Sequence, residues 1–443
     1  MTRLAGSSKL LRAMNESATL ALLLERGSLT RNDLRELTGL SKPTTSEVLR
    51  RLTDAGLAVV AGHTSGGRGP NAEIYMANPA ARHVAAVTLR ETSDAACACL
   101  SAALCDLAGT VVARNEAVID FATGTDPVRA VVAAVRELSR AGGLDPGQVQ
   151  YVELGVPGSY DATTRSIRHI DLPGWNRPGL VDDLARSLDA AVGVENDVNL
   201  AAIAERNRGV AGDCESFGLI WFGQGLGLAI DLGGNLLRGA RGGAGEIGYM
   251  PVGPNRGERG TDLHDLVGAA AVLALAAEHD LADAATPAAA LAAAVRATEQ
   301  RASEDGATED GATEHRASED RASEDRATED RASDDKATDD PGSAASAEAF
   351  LDALAERIAW GVAAVTAVLD PALVVLAGDL ARAGGTALTG RVTAALRSAT
   401  PLETTIAVTG IADDPVLLGA LDAALRAVRE RLINNLRKVA PAA

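Results

Sequence analysis

Residues 30–52, TRNDLRELTGLSKPTTSEVLRRL, contain two helix starts and one helix stop in quick succession. Thr30 with Asp33 three positions on is a capping pattern: the hydroxyl satisfies a free backbone N–H and the carboxylate reaches back. Leu34 and Leu37 then mark one apolar face, and Gly39 ends the helix. Ser41 caps a second helix whose first turn holds Pro43, where a missing N–H costs nothing. Val48, Leu49 and Leu52 give that helix its buried side. Two short helices separated by Gly39-Leu40 have the spacing of a helix-turn-helix, whose second helix fits a major groove.

The flanks complete the unit. Upstream, Leu10, Leu11, Met14, Ala18 and Leu22 recur at helical spacing up to Gly27. Downstream, Leu57-Ala58-Val59-Val60, the glycine-rich Gly66-Gly67-Arg68-Gly69-Pro70 and Glu73-Ile74-Tyr75-Met76 read as strand, tip and strand. The expectation is a winged helix-turn-helix over residues 1–80. Ser41, Lys42, Thr44, Thr45 and Glu47 are assigned to base edges and phosphates, Arg50 and Arg51 to the DNA backbone, and Arg31 to the same face. Arg68 is assigned to a minor groove, the alternative being a solvated arginine at a hairpin tip. For the whole motif the alternative is a protein–protein module, which would not need a basic surface.

Charge bears on that choice. The chain of 443 residues has a formal charge of −18, unfavourable for a nucleic-acid partner when taken alone. Residues 1–80, however, hold ten Lys and Arg against seven Asp and Glu, a net of +3. Residues 301–340 hold fifteen acids against six bases, a net of −9, so half of the acidity lies in one segment. That segment is eight pentads of the type Arg-Ala-Ser-Glu-Asp without a large apolar side chain. It is expected to form a disordered acidic insertion at about 297–344, the alternative being a charged helix.

Hydrophobic residues make up 47% and aromatics 2%, so the cores must be built from Ala, Val, Leu and Ile. From about residue 84, apolar strand candidates at 84–88, 151–156, 217–222 and 373–376 alternate with helical stretches, which implies an α/β domain over residues 81–443. Cys97, Cys99, Cys105 and Cys214 fit neither a secreted disulfide frame nor a paired zinc motif and read as reduced core thiols. Neither an export signal nor a membrane-spanning run of about 18 apolar residues occurs. The expected setting is cytoplasmic, with no membrane partner.

Asn15, Thr30-Arg31, Gly39-Leu40-Ser41-Lys42-Pro43-Thr44, Gly56-Leu57 and Gly66-Gly67-Arg68 resemble the N-terminal domain of ROK (repressor, open reading frame, kinase) regulators. Leu154-Gly155-Val156-Pro157-Gly158, Leu172-Pro173-Gly174-Trp175-Asn176, Glu195-Asn196-Asp197-Val198-Asn199 and Gly242-Gly243-Ala244-Gly245-Glu246-Ile247-Gly248 are similar to its effector domain. The resemblance implies an actin-like, ribonuclease-H-like sugar-kinase fold of two lobes behind the winged helix. It also implies sugar contacts from Asn196, Asp197 and Glu246, the residue matching Asp197 being the catalytic base in the family's kinases; capping of the following helix is the alternative role for Asp197.

Other family features are absent. Residues 87–93, Val-Thr-Leu-Arg-Glu-Thr-Ser, lack the glycines of the family's first phosphate turn. Gln224 stands where its kinases carry Thr, and one glycine, Gly378, remains of a Gly-Gly pair. Tyr249 replaces the zinc-binding His, and residues 250–266 contain no Cys, so no zinc or other cofactor is expected. Tyr249 and Asp265 are assigned to the sugar site, with His264 set aside as a zinc ligand. The expectation is a repressor without kinase activity, a homodimer or homotetramer, that binds double-stranded operator DNA and responds to a sugar or sugar phosphate. A regulator with a degenerate pocket and an ATP-dependent sugar kinase are the alternatives.

Overall fold

The computed structural model describes residues 7–64, 71–92, 96–223, 225–253, 261–282, 284–314 and 341–438. The chain opens with α1 (Ser7–Arg26), β1 (Leu29–Thr30), α2 (Arg31–Thr38), α3 (Lys42–Asp54), β2 (Ala58–His63) and β3 (Glu73–Ala77). It continues through β4 (His83–Glu91), β5 (Cys97–Asp106), β6 (Val111–Asp120), α4 (Pro127–Ala141), β7 (Val149–Val156), β8 (Ser159–Asp161), β9 (Ser166–Arg168), α5 (Leu180–Leu188), β10 (Ala191–Asn196) and α6 (Asp197–Arg208). There follow β11 (Ser216–Phe222), β12 (Leu226–Leu232), β13 (Asn235–Leu236), α7 (His264–Val267), α8 (Ala269–Glu278), α9 (Pro287–Glu314) and α10 (Pro341–Leu369). The chain ends with β14 (Leu373–Ala377), α11 (Asp379–Ala399), β15 (Thr405–Val408) and α12 (Pro415–Lys438).

Packing separates two compact units. One comprises Met1–Asn207, Arg238–Gly243 and Ile411–Ala443, the other Arg208–Leu237 and Ala244–Gly410. Each contains a mixed five-stranded sheet, ordered β10-β7-β4-β5-β6 in the first unit and β13-β12-β11-β14-β15 in the second. The two orders are the same motif twice. An antiparallel run of three strands (β4, β5, β6 or β11, β12, β13) is extended on the side of its first strand by two parallel strands (β7, β10 or β14, β15). β14 is buried at every position, as a parallel strand covered on both faces must be.

In the first unit, local chemistry fixes the N-terminal helices as the sequence predicts. Thr30 and Asp33 form a complete capping box on α2, Gly39 closes α2 at φ 67°, and the Ser41 hydroxyl caps α3. β3 pairs with both β1 and β2, so the wing is a three-stranded sheet. Leu20 and Leu23 of α1, Leu49 of α3, Ala86 of β4, Leu200 of α6 and Leu421 of α12 belong to one apolar core. The winged helix is thus packed on the same hydrophobic mass as the first α/β sheet.

In the second unit the expected disorder from about residue 297 is corrected for part of its length: α9 runs unbroken to Glu314. Its first turns are anchored by Ala290, Leu291 and Ala294 in the core with Ala297 packed against them, and a helix nucleated there propagates by one hydrogen bond per residue, even past Gly306 and Gly311, which cost about 1 kcal/mol each. Residues 315–340 lie outside the described residues. Among the described residues no helix is long and apolar enough to cross a membrane.

Candidate functional site

The face of the winged helix assigned to DNA is narrower than the sequence predicts. Lys42 is exposed at the first turn of α3 and has no ion-pair partner among the described residues; Thr44 is half-buried beside it, its hydroxyl 2.8 Å from that of Ser41. Thr45 does not belong to this face. It is buried at 1% exposure, and its hydroxyl donates to the Ser41 carbonyl at 3.1 Å, because it falls on the same side of α3 as Val48, Leu49 and Leu52. Arg31 is also built into the fold: its guanidinium donates to Glu73 at 2.8 Å and to the Tyr75 hydroxyl at 2.7 Å, tying α2 to β3.

Glu47, Arg50 and Arg51 form one network. The Glu47 carboxylate accepts from Arg50 at 2.8 and 3.1 Å and from Arg51 at 2.7 Å, while Arg50 also donates to Asp54 at 2.6 Å. Hydrogen bonds from Arg50 and then Arg51 hold the Glu47 carboxyl down at about 2. The two arginines therefore face solvent already countered by acids, which weakens their pull on phosphates. Arg68 lies outside the described residues.

In the first unit, the ends of β7 and β10 bring two of the quoted motifs together. Val156 pairs with Asn196 in parallel register, and the Asn196 side-chain amide donates to the Gly158 carbonyl at 3.1 Å. Ligands of open α/β sheets bind beyond such carboxyl ends of parallel strands. Asn196 itself is occupied: its Oδ1 accepts from the backbone of Val198 at 2.9 Å and of Asn199 at 3.1 Å, and its Nδ2 also donates to Asp197 Oδ1 at 3.1 Å. Asn196 is thus the cap of α6, a correction to its assignment as a sugar contact. Asp197 stands half-exposed as the first residue of α6, where the helix dipole favours a carboxylate. Trp175 is fully buried and meets Phe121 edge to face with ring centroids 5.7 Å apart, so its motif serves the core.

Glu195 and Arg238 belong to this site and escape a reading of local pattern. Glu195 accepts from the Asn196 backbone at 3.1 Å, from Asn199 Nδ2 at 2.9 Å and from Arg238 Nε at 2.6 Å. Glu195 sits inside a quoted motif, but nothing in the sequence pairs it with an arginine so distant in the chain.

In the second unit, Gly245 has φ 94°, and a Cβ there would stand 1.8 Å from the Leu228 carbonyl oxygen, so only glycine brings Glu246 into place against β12. Glu246 is half-buried at the head of the turn Ile247–Tyr249. Tyr249 is 68% exposed, projecting into solvent instead of lining a pocket. Asp265 is exposed and engaged locally: one carboxylate oxygen accepts from the Asp262 backbone at 3.1 Å, and its own N–H donates to Asp262 at 3.0 Å. Residues 254–260 of the shortened loop and Gln224 lie outside the described residues. Among those described, no three His, Cys, Asp or Glu side chains cluster as metal ligands.

Residues 96–427 match the ROK family and residues 11–69 the MarR family. The glucokinase of Halalkalibacterium halodurans is 38% identical over 106 residues, 24% of this chain and 32% of that protein. The DNA-binding transcriptional dual regulator NagC of Escherichia coli is 25% identical over 257 residues, 57% of this chain and 61% of that protein. The chain thus spans less than two thirds of the length of these curated relatives. Among solved structures, a ROK family transcriptional regulator, a homolog of the E. coli MLC protein, superposes with a TM-score of 0.67 at 18% identity, covering 97% of this chain and 99% of that one. A ROK hexokinase from Thermus thermophilus gives 0.54 at 20% identity over 79% of this chain and 99% of that one. These likenesses establish the fold: a winged helix-turn-helix followed by a sugar-kinase-like α/β domain.

Proposed function

The chain belongs to the ROK family, and from that premise we propose that it is a sequence-specific DNA-binding regulator, a repressor of carbohydrate-related genes whose operator affinity answers to a sugar or sugar phosphate. The observation that carries this reading is the single apolar core joining α1 and α3 of the winged helix to β4, α6 and α12 of the first α/β sheet. A ligand at Asp197, the first residue of α6, would act three residues from Leu200 of that core. A ligand shifts such a system only by its differential affinity for two states, typically about 1–3 kcal/mol. We assign operator contacts to Lys42 and Thr44, sugar contacts to Asp197 and Glu246, a cytoplasmic location, no cofactor, and a homodimer or homotetramer that reads two half-sites.

The test is selection of genomic DNA fragments on the full-length protein, followed by operator titration with and without D-glucose, N-acetyl-D-glucosamine and their 6-phosphates. A selected fragment whose affinity changes with one of these, and no longer does in Asp197→Ala, is the expected result. Absence of any selected sequence would overturn the reading. The likeness to glucokinases favours a second reading, an ATP-dependent sugar kinase. Against it stands the lack of glycine across residues 87–93, and ATP turnover on the same sugars decides it.

A further inference from the structure

Two acids lie side by side in the first unit, Glu153 on β7 and Glu195 on β10, each almost wholly buried. β10 itself makes room for the side chains of β7: a Cβ on Gly193 would stand 2.3 Å from Glu153 Oε2 and 2.2 Å from the Tyr151 hydroxyl. Burial first and the Glu195 carboxylate second push Glu153 up to about 8. Of the two acids, Glu195 is the one held in an ion pair, and a buried carboxylate is tolerated when it is paired. Its cation is Arg238, through Nε at 2.6 Å. Arg238 is the first residue of Arg238–Gly243, a segment that packs with the first unit while the chain on both sides of it belongs to the second.

We propose that Arg238 is a positioning residue: by neutralising Glu195 it fixes the first turn of α6, and with it Asp197. The other oxygen of Glu195 accepts from the Asn196 backbone and from Asn199 Nδ2, so the carboxylate spans the strand end and the helix start. The groups that face it are Arg238 from the returning segment, Asn199 from α6, and Glu153 and Tyr151 from β7, with Arg431 of α12 lying 4.9 Å over the Tyr151 ring. Without Arg238, Glu195 is left with neutral donors beside another acid. A carboxylate left so turns toward water, and that turn releases Asn196 and Asn199. The consequence for ligand binding rests on the assignment of Asp197 proposed above; the effect on α6 does not.

Amide hydrogen exchange of the full-length protein separates the two. Arg238→Gln is expected to speed exchange at residues 196–200 by about tenfold while α4 is unchanged, and Arg238→Lys, which keeps the charge, to stay within about twofold of wild type. Arg238→Gln combined with Glu195→Gln, which removes the orphaned charge as well, is expected to recover most of the wild-type rate. In parallel, calorimetry with D-glucose, N-acetyl-D-glucosamine and glucose 6-phosphate is expected to show about tenfold weaker binding in Arg238→Gln for whichever of these the wild type binds. Unchanged exchange at 196–200 in Arg238→Gln, or a double variant as perturbed as the single one, overturns the proposal. Binding of none of the sugars to wild type overturns the effector reading instead, and the exchange result then decides the role of Arg238 by itself.

Discussion

Gly419 of α12 crosses the backbone of Leu200 in α6 so closely that a Cβ at 419 would stand 1.8 Å from the Leu200 carbonyl oxygen. The obstacle is main chain, which cannot step aside as a flexible side chain can. Gly419→Ala is therefore expected to force the two helices apart and to destabilise the protein by about 3 kcal/mol, as overpacking does in closely packed interiors. Because α1, α3 and α12 share one core, the loss should appear in one cooperative transition that includes the winged helix. Urea denaturation followed by circular dichroism measures it, and an unchanged midpoint would show that the crossing has slack.

Features governed by neighbours in sequence were the legible ones. The Thr30–Asp33 box, the stop at Gly39 and the Ser41 cap depend on three or four residues each, and the structure contains them as predicted. Thr45 stands three, four and seven residues before Val48, Leu49 and Leu52, so helical spacing already puts it on their buried side, and its assignment to DNA followed its residue type and place in the first turns instead. Arg31 meets Glu73 and Tyr75, partners that nothing local announces. The network at Glu47 was present as spacing, with Arg50 and Arg51 three and four residues on, a separation that places side chains together on a helix. At Asn196 the motif gave the right place but not the role, because a residue before a helix serves as a cap as readily as a ligand contact. The helical part of the pentads was illegible because their period matches no regular element; the helix is propagated from Ala290 and Leu291.

Glu47→Gln removes the charge that counters Arg50 and Arg51 on the exposed side of α3. Arg50 keeps Asp54 at 2.6 Å and Arg51 keeps Glu16 at 3.6 Å, so each cation is freed in part for phosphates, and affinity for random-sequence DNA is expected to rise. The plot of log affinity against log salt should steepen by about one unit, roughly 0.9 for an added phosphate contact. Fluorescence anisotropy from 50 to 200 mM salt, on the order of the range used for such slopes, is the measurement. A shallower slope would mean that Glu47 itself takes part in reading a base.

Glu153→Gln is a test in pH. A carboxyl held at about 8 in the fold, against an ordinary value of 4.5, binds more protons folded than unfolded between those limits. Its contribution to stability is complete below 4.5, declines as the pH rises, and is lost above about 8. The amide retains an acceptor for the Tyr151 hydroxyl and has nothing to ionise. Melting temperatures of wild type and variant should therefore diverge between pH 5 and pH 8.5, roughly the interval between the two limits, the variant becoming the more stable at the alkaline end. A gap that stays constant across that interval would show that Glu153 does not titrate there.

Lys42 and Arg31, both assigned to DNA by the sequence, are expected to separate cleanly. Lys42 is an exposed cation at the first turn of α3, so Lys42→Ala should leave the melting temperature unchanged and reduce the salt slope of DNA binding by about one unit. Arg31→Ala breaks the links from α2 to Glu73 and to the buried Tyr75 hydroxyl. The ion pair is more than a third exposed and counts for little after screening, so the cost lies mainly in the Tyr75 hydrogen bond and the guanidinium over its ring, about 1 kcal/mol together. Calorimetric melting and anisotropy on the same preparations distinguish the two residues. A stability loss in Lys42→Ala, or a wild-type melting curve for Arg31→Ala, would reverse these roles.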